Sequence, residues 1–442
     1  MSVAKIYSIL GNPKSIIPLG IKDLSGTAGI TAASFATGKE EGQDRFIDEA
    51  GTEVIWLLGI PVAKKFIDLT AFKTAKLDPE FDVRNFHNKE ILEKAKEYAP
   101  TETIKNNIEK ISKNQKLYKG LTIGKFAGAV GATIGAYLAL ANAKQKYTET
   151  NIAKNLLEEQ KLAMDYGQNI AMEKVKTIGT DKKDAEKKSD NVSFKGAFEN
   201  FMLNPVANMY LLEGSITGSR LAKSRNKQEL TGYAIKEGSF LAFMYVIGQQ
   251  IQNAFEKVVD KKHNKNISLD ARVIEDKTLA DAFNSKSIEE SLSSFPKNAS
   301  DAEIYEFLHN NPENEVVKRA KQSDIIKLYK KTDKIDTRKY IDIKQVKGVN
   351  DNLSKLYEQY KASGETADVF FSKLKKLKRG SIIANIGTSM FALGVVIPAI
   401  MLGKRLANGD TEFEVKNEVK QKLIEEGKLI SDKKPEQSTV NA

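Results

Sequence analysis

The chain has no cysteine among its 442 residues. Disulfides, thiolate catalysis and cysteine-held zinc or iron–sulfur centres are excluded with it. Histidine is scarce too. His87, His263 and His309 stand far apart, and none has a second histidine at zinc-ligand spacing. No glycine-rich loop has the Walker spacing and no G-x-S-x-G elbow occurs. Gly26-Thr-Ala-Gly29 and Gly38-Lys-Glu-Glu-Gly42 read instead as helix ends or turns. No residue set names a reaction, so the expectation is a protein that is not an enzyme and uses no cofactor or metal. A clean signal peptide is lacking as well. The apolar run of MSVAKIYSILGNPKSIIPLG is broken by Ser8, Gly11, Asn12, Pro13 and Lys14.

Charge, by contrast, is plentiful and leans one way. Lys and Arg number 69 against 58 Asp and Glu, for a net +11, and the mean hydropathy is −0.40. A basic balance suits an anionic membrane surface. The cations are scattered and no aromatic-interleaved binding motif accompanies them, so nucleic acid is not expected.

Against this polar background two apolar segments stand out. Gly380 to Gly403 holds 24 residues without a charge, between Lys373-Leu-Lys-Lys-Leu-Lys-Arg379 and Lys404-Arg405. About 20 apolar residues cross a hydrocarbon core of ~30 Å, and basic flanks suit its headgroups. Gly120 to Ala143 is the second candidate, with Lys125 as its one charge, placed to snorkel to the interface. Gly124 and Gly128, and Gly131 and Gly135, are four apart. That spacing lets helix backbones approach closely in lipid, within one chain or between copies. Val54–Ala63 and Gly238–Phe255 are shorter apolar blocks, read as buried, re-entrant or interfacial.

Elsewhere the pattern is helical. Residues 91–118, 150–178, 302–308, 315–331 and 352–378 space their apolar residues at helical intervals. Ser287-Ile-Glu-Glu290 and Ser300-Asp-Ala-Glu303 both fit the capping box. Residues 340–346 alternate weakly, as a short strand would. Thr180–Asp190, TDKKDAEKKSD, is a charged linker, and 433–442 a polar tail. The fold class is mainly α: an integral membrane helical protein with amphipathic and soluble helical segments.

A faint internal repeat divides it. Asn12-Pro13 and Asn204-Pro205 are each followed by a glycine 14 residues after the asparagine, Gly26 and Gly218. An apolar block follows Gly51 and Gly238, then Leu-Asp at 77–78 and 269–270 with an arginine soon after. Both long apolar segments open on a basic residue and glycine, and close on lysine 24 positions later. The domains follow: a half at 1–150 with its span near 120–143, and a helix and linker at 151–193. A second half at 194–410 holds its span near 380–403 and a helical insert at 270–372. A helix and tail occupy 411–442.

Candidate contact residues are few. Lys373, Lys375, Lys376, Lys378 and Arg379 could hold anionic lipid. Gly124, Gly128, Gly131, Gly135, Asn385 and Ser389 could pack helices. Asp44, Asp48 and Glu49 with Arg45 read as a solvated helix end, or as a polar site at the membrane boundary. The reading expected is a membrane-embedded structural or anchoring protein. Its partners would be the bilayer, anionic lipids, a protein docked on 270–372, and other copies through the small-residue helix faces. Its place would be a membrane, taken as a bacterial cytoplasmic one. The alternative is a small-solute or ion pathway formed by two repeated halves, which charged residues inside the membrane zone would favour.

Overall fold

The computed structural model describes residues 2–165, 197–408 and 413–430. It is mainly helical, and among the described residues no strand forms. The weak alternation at 340–346 gives way to a helix from Ile343, and the one β-bridge joins Leu328 to Ile335. The charged linker 180–190 and the tail 433–442 lie outside the described residues.

Local signals set most helix ends. Helix α1 is Val3–Leu10, capped by Ser2. Helix α2, Ile17–Thr37, starts with proline in its first turn, where the missing N–H is no loss. Helix α3, Lys39–Ile67, opens on Glu40 and Glu41 and closes on Lys64 and Lys65, each sign matched to the helix dipole. It runs on through a π turn at Asp68–Phe72 and stops at Lys76, φ +53°. Val54–Ala63 is thus the middle of a long helix, not a short element. Helix α4 is Gln115–Asp165, joining the apolar block 120–143 to the amphipathic stretch that follows. Helix α5, Pro205–Ala222, is capped by Asn204, whose side chain accepts from Val206 and Ala207 N–H. Helix α6, Lys227–Leu241, passes through a π turn, Ala242–Ile247, into α7, Gly248–His263.

After the insert, α8, Ile343–Ser363, ends at Gly364, whose φ of +65° glycine adopts without strain. The pattern at 352–378 is therefore two helices. Helix α9, Ala367–Phe391, continues through a π turn, Ala392–Val396, into α10, Ile397–Asn408. Helix α11 is Glu414–Glu425. Of the two capping boxes, Ser300–Glu303 forms in both directions. Ser287 does not cap: Lys286 stands at that position with φ +60°.

Two helices, Gln115–Leu162 and Ala367–Asn408, are long and apolar enough to cross a membrane. They belong to a ring of six. Helix α4 lies on α3, α3 on α2, and α2 on α9 and α10; α9 lies on α7, α6 on α5, and α5 on α4. Direction follows from side-chain pairs. Phe126 meets Phe198 and Phe201, just before α5, at 6.0 and 6.4 Å, and Lys223, just after α5, bonds Asn142 at 3.0 Å. Helices α4 and α5 therefore run the same way.

The insert builds a core of its own. Val273, Leu279, Phe283, Val316, Leu353 and Phe370 are buried together, and Ile91 and Ala95 of the helix Lys89–Glu97 join them. A separate small core ties α11 to the far end of α4 through Ile152, Leu156, Val419 and Leu423.

Candidate functional site

Helix α3 is built inside out. Asp44, Asp48, Glu49, Thr52, Glu53 and Trp56 are buried on its inner face. Val54, Leu58, Val62 and Phe66 point outward, 56 to 67% exposed. The same holds around the ring. No charged side chain is exposed along α2, along 46–63 of α3, 120–143 of α4 or 205–219 of α5, along 230–254 of α6 and α7, or along 380–403 of α9 and α10. The charges that these segments carry face inward, apart from the half-buried Lys125.

Inside, they meet one another. Arg220 of α5 lies 3.5 Å from Asp48 and 3.4 Å from Glu49, donates to Thr52 at 3.0 Å, and pairs with Glu237. Lys236 of α6 reaches Glu49 at 2.6 Å and Glu237 at 2.9 Å. Lys144 of α4 sits 3.6 Å from Asp44, 3.8 Å from Asp48 and 3.9 Å from Glu229. Arg225 holds Asp44 at 2.9 Å and Glu229 at 2.8 Å. The Tyr233 hydroxyl donates to Asp48 at 2.8 Å, and Thr148 to Asp44 at 2.7 Å. Deeper still, Asp23, Glu53 and Glu213 are buried with no basic group at ion-pair distance among the described residues.

Two cavities flank this network. One, of about 500 Å³, is lined by Ser34, Thr37, Arg225, Glu229, Met401 and Arg405. The other, of about 720 Å³, is lined by Lys22, Gln249, Gln252, Glu256, Lys378 and Asn385. They sit at opposite ends of the 380–403 segment and at opposite ends of α2. Between them the ring closes tightly. A side chain at Gly29 would strike the Gly394 backbone, and one at Gly26 the Phe240 ring.

The residues picked from sequence are placed unevenly. Lys373 pairs with Glu365 at 2.6 Å, the buried Lys378 with Glu256 at 2.8 Å, and Arg379 with Glu275 through two bonds of 2.7 Å. These two last side chains latch α9 to the insert and α7, which removes them from a headgroup-facing set. Lys375 and Lys376 remain without an ion pair among the described residues. Lys125 does not snorkel; it pairs with Asp68 and lies 5.4 Å from the Phe72 ring centre. Asn385 accepts from Lys22 at 2.7 Å and donates to Gln252 at 2.8 Å, while Ser389 donates to the Phe243 carbonyl at 3.2 Å. Gly124, Gly131 and Gly135 have no neighbour within 4 Å of a built Cβ, and Gly128 meets only Ile67 at 3.3 Å. Within one chain that face is unused.

Asp44, Asp48 and Glu49 are not a solvated helix end: all three are 5% exposed or less. Sequence reading missed Arg220, Lys236, Glu237, Glu229, Lys144 and Tyr233. The signal lay in α3, where Glu49, Glu53 and Trp56 share one helix face and Val54 and Leu58 lie opposite. Among the described residues no acidic and histidine cluster is arranged to hold a metal. No known protein family, curated protein or solved structure matches the chain.

Proposed function

We propose that the chain is a structural membrane protein that seats a helical bundle in lipid and carries the insert at 270–372 as a docking module. The observation that carries this is the uncharged belt with its charges turned inward, the reverse of what water selects. The belt has two kinds of surface. Helices α3, α2 and α9–α10, which are neighbours, present large apolar groups: Val54, Leu58, Val62, Leu24, Phe35, Phe391, Val395 and Ile400. They suit acyl chains. Helices α4 and α5 present Gly124, Gly128, Gly131 and Gly135, with Gly214 and Gly218. That side suits close packing against another copy. Lys375 and Lys376 are left to meet anionic headgroups.

Two repeated halves are supported by matched placement. Helices α2, α3 and α4 correspond to α5, α6–α7 and α9–α10, and each half's first helix lies on the other's last. The arginine after each Leu-Asp belongs to a matching clamp. Asp82 accepts from the Arg84 backbone and Nε at 3.0 Å, and Asp270 from Arg272 at 2.9 and 3.0 Å. The aspartate in the first clamp is Asp82, not Asp78, which takes Arg338 at 2.9 Å.

A solute pathway is the second reading, and the paired cavities with the ionic network between them favour it. The network itself needs no transport role, since most of its charges are mutually paired. A pathway requires the two ends of the ring to open on opposite sides of the membrane; a seated anchor turns both to one side.

Labelling separates the two. The chain has no cysteine, so Lys39→Cys and Lys227→Cys report one end, and Lys76→Cys and Lys113→Cys the other. In sealed vesicles a membrane-impermeant maleimide should label all four or none. Labelling at one end only would establish a crossing bundle and reject the seated arrangement. Quantitative release by carbonate would reject membrane seating altogether.

A further inference from the structure

The larger cavity contains a buried cation without its counter-charge. Lys22 is 3% exposed. Among the described residues its ammonium has one hydrogen-bond partner, the Asn385 side-chain oxygen at 2.7 Å, and no carboxylate at ion-pair distance. The carboxylates that share the cavity are already engaged: Glu256 by Lys378 at 2.8 Å and Asp270 by Arg272 at 2.8 Å. An ammonium held out of water with one neutral partner has unused donors and a large desolvation penalty. Ionisable groups so placed are functional-site candidates by default.

The surroundings are shaped for a polar guest. From Lys22 a bonded row runs along the wall: Asn385 to Gln252 at 2.8 Å, then Gln252 to Glu256 at 3.0 Å. Gln249, Asn253 and Asn352 add further carboxamides to the lining. Gly248 makes the approach possible. A Cβ there would stand 2.7 Å from both the Lys22 ammonium and the Ser389 hydroxyl. At about 720 Å³ the space exceeds what a lone inorganic ion fills.

We propose that this cavity binds a small organic carboxylate, its negative charge met by Lys22 and the rest of the molecule by the carboxamide wall. The site stands whether or not the bundle crosses lipid, because it depends only on groups that α2, α7, α8 and α9 bring together.

The test is calorimetric titration of the full chain in detergent with pentanoate and with pentanamide, which share a shape and differ in charge. Pentanoate should bind, and pentanamide should not. Lys22→Met should fold, since it deletes a buried charge that has no ionic partner, and should weaken pentanoate by about tenfold or more. Asn385→Asp should do the same with the lysine still present, because the new carboxylate neutralises it from within. Equal binding of the two probes, or unchanged pentanoate binding in both variants, would overturn the proposal. Loss in one variant but not the other would also overturn it, since both act on the same charge.

Discussion

At the scale of single residues, position decides what a charge does. Arg220 is 2% exposed and touches Asp48, Glu49, Thr52 and Glu237. Arg220→Met removes one cation and leaves three carboxylates short of a partner. Breaking a buried ion pair from one side costs about 3–5 kcal/mol, much more than an exposed pair, whose worth is ~0–1 kcal/mol. Urea unfolding in detergent should show a loss of that size, whereas Lys154→Met, at an exposed pair with Glu158, should leave the midpoint in place. His309 offers a pH readout in the insert. Its ring stacks on Tyr98 at 4.7 Å, and burial with Lys321 nearby pushes its pKa from 6.5 down to about 4. The folded state thus resists a proton that the unfolded chain accepts. Its contribution is intact above pH 6.5 and is lost as pH falls from there toward 4, reaching about 3 kcal/mol. His309→Phe should keep the stacking and flatten that part of the pH–stability curve. A variant as acid-sensitive as the parent would place the acid loss elsewhere.

At the scale of elements, the apolar helices were legible and the inverted ones were not. Hydropathy found 120–143 and 380–403 because nearly all their residues are apolar. It reduced α3 and α6–α7 to the short blocks 54–63 and 238–255, because Asp48, Glu49, Glu53, Lys236 and Glu237 lower any longer window average, although all five are buried. An average discards the side on which a residue sits; the opposed faces of α3 keep it. The pairing of α2 with the π turn between α9 and α10 was invisible for another reason, since it depends on Gly29 and Gly394, 365 positions apart. Gly29→Leu should drive a side chain into the Gly394 backbone and lower the melting temperature, with overpacking costing about 1–3 kcal/mol or more. Gly131→Leu, with nothing within 4 Å, should leave the melting temperature of the single chain unchanged or raise it, since glycine is a poor helix former. Equal damage from both would mean that the two glycines share one environment.

For the whole molecule, the contrast between the two sides of the belt makes the remaining prediction. Large side chains cover α3 and α9–α10, and glycine and alanine cover α4. In the seated arrangement proposed above, lipid tails would accept the first surface, while the second would gain most from another helix that approaches to backbone contact. A second copy placed there would bury Gly124, Gly128, Gly131 and Gly135 against its own equivalents, as a two-fold interface requires. Gly131→Cys should therefore form a disulfide-linked dimer under mild oxidation in native membranes, with no other cysteine to compete. Leu58→Cys, on the large-residue side, should stay monomeric at the same protein density. Adding Gly128→Leu to Gly131→Cys should abolish the crosslink without unfolding the chain. Crosslinking that is equal at 58 and 131, or that survives the leucine, would assign the small-residue face to lipid and leave the bundle without a self-association surface.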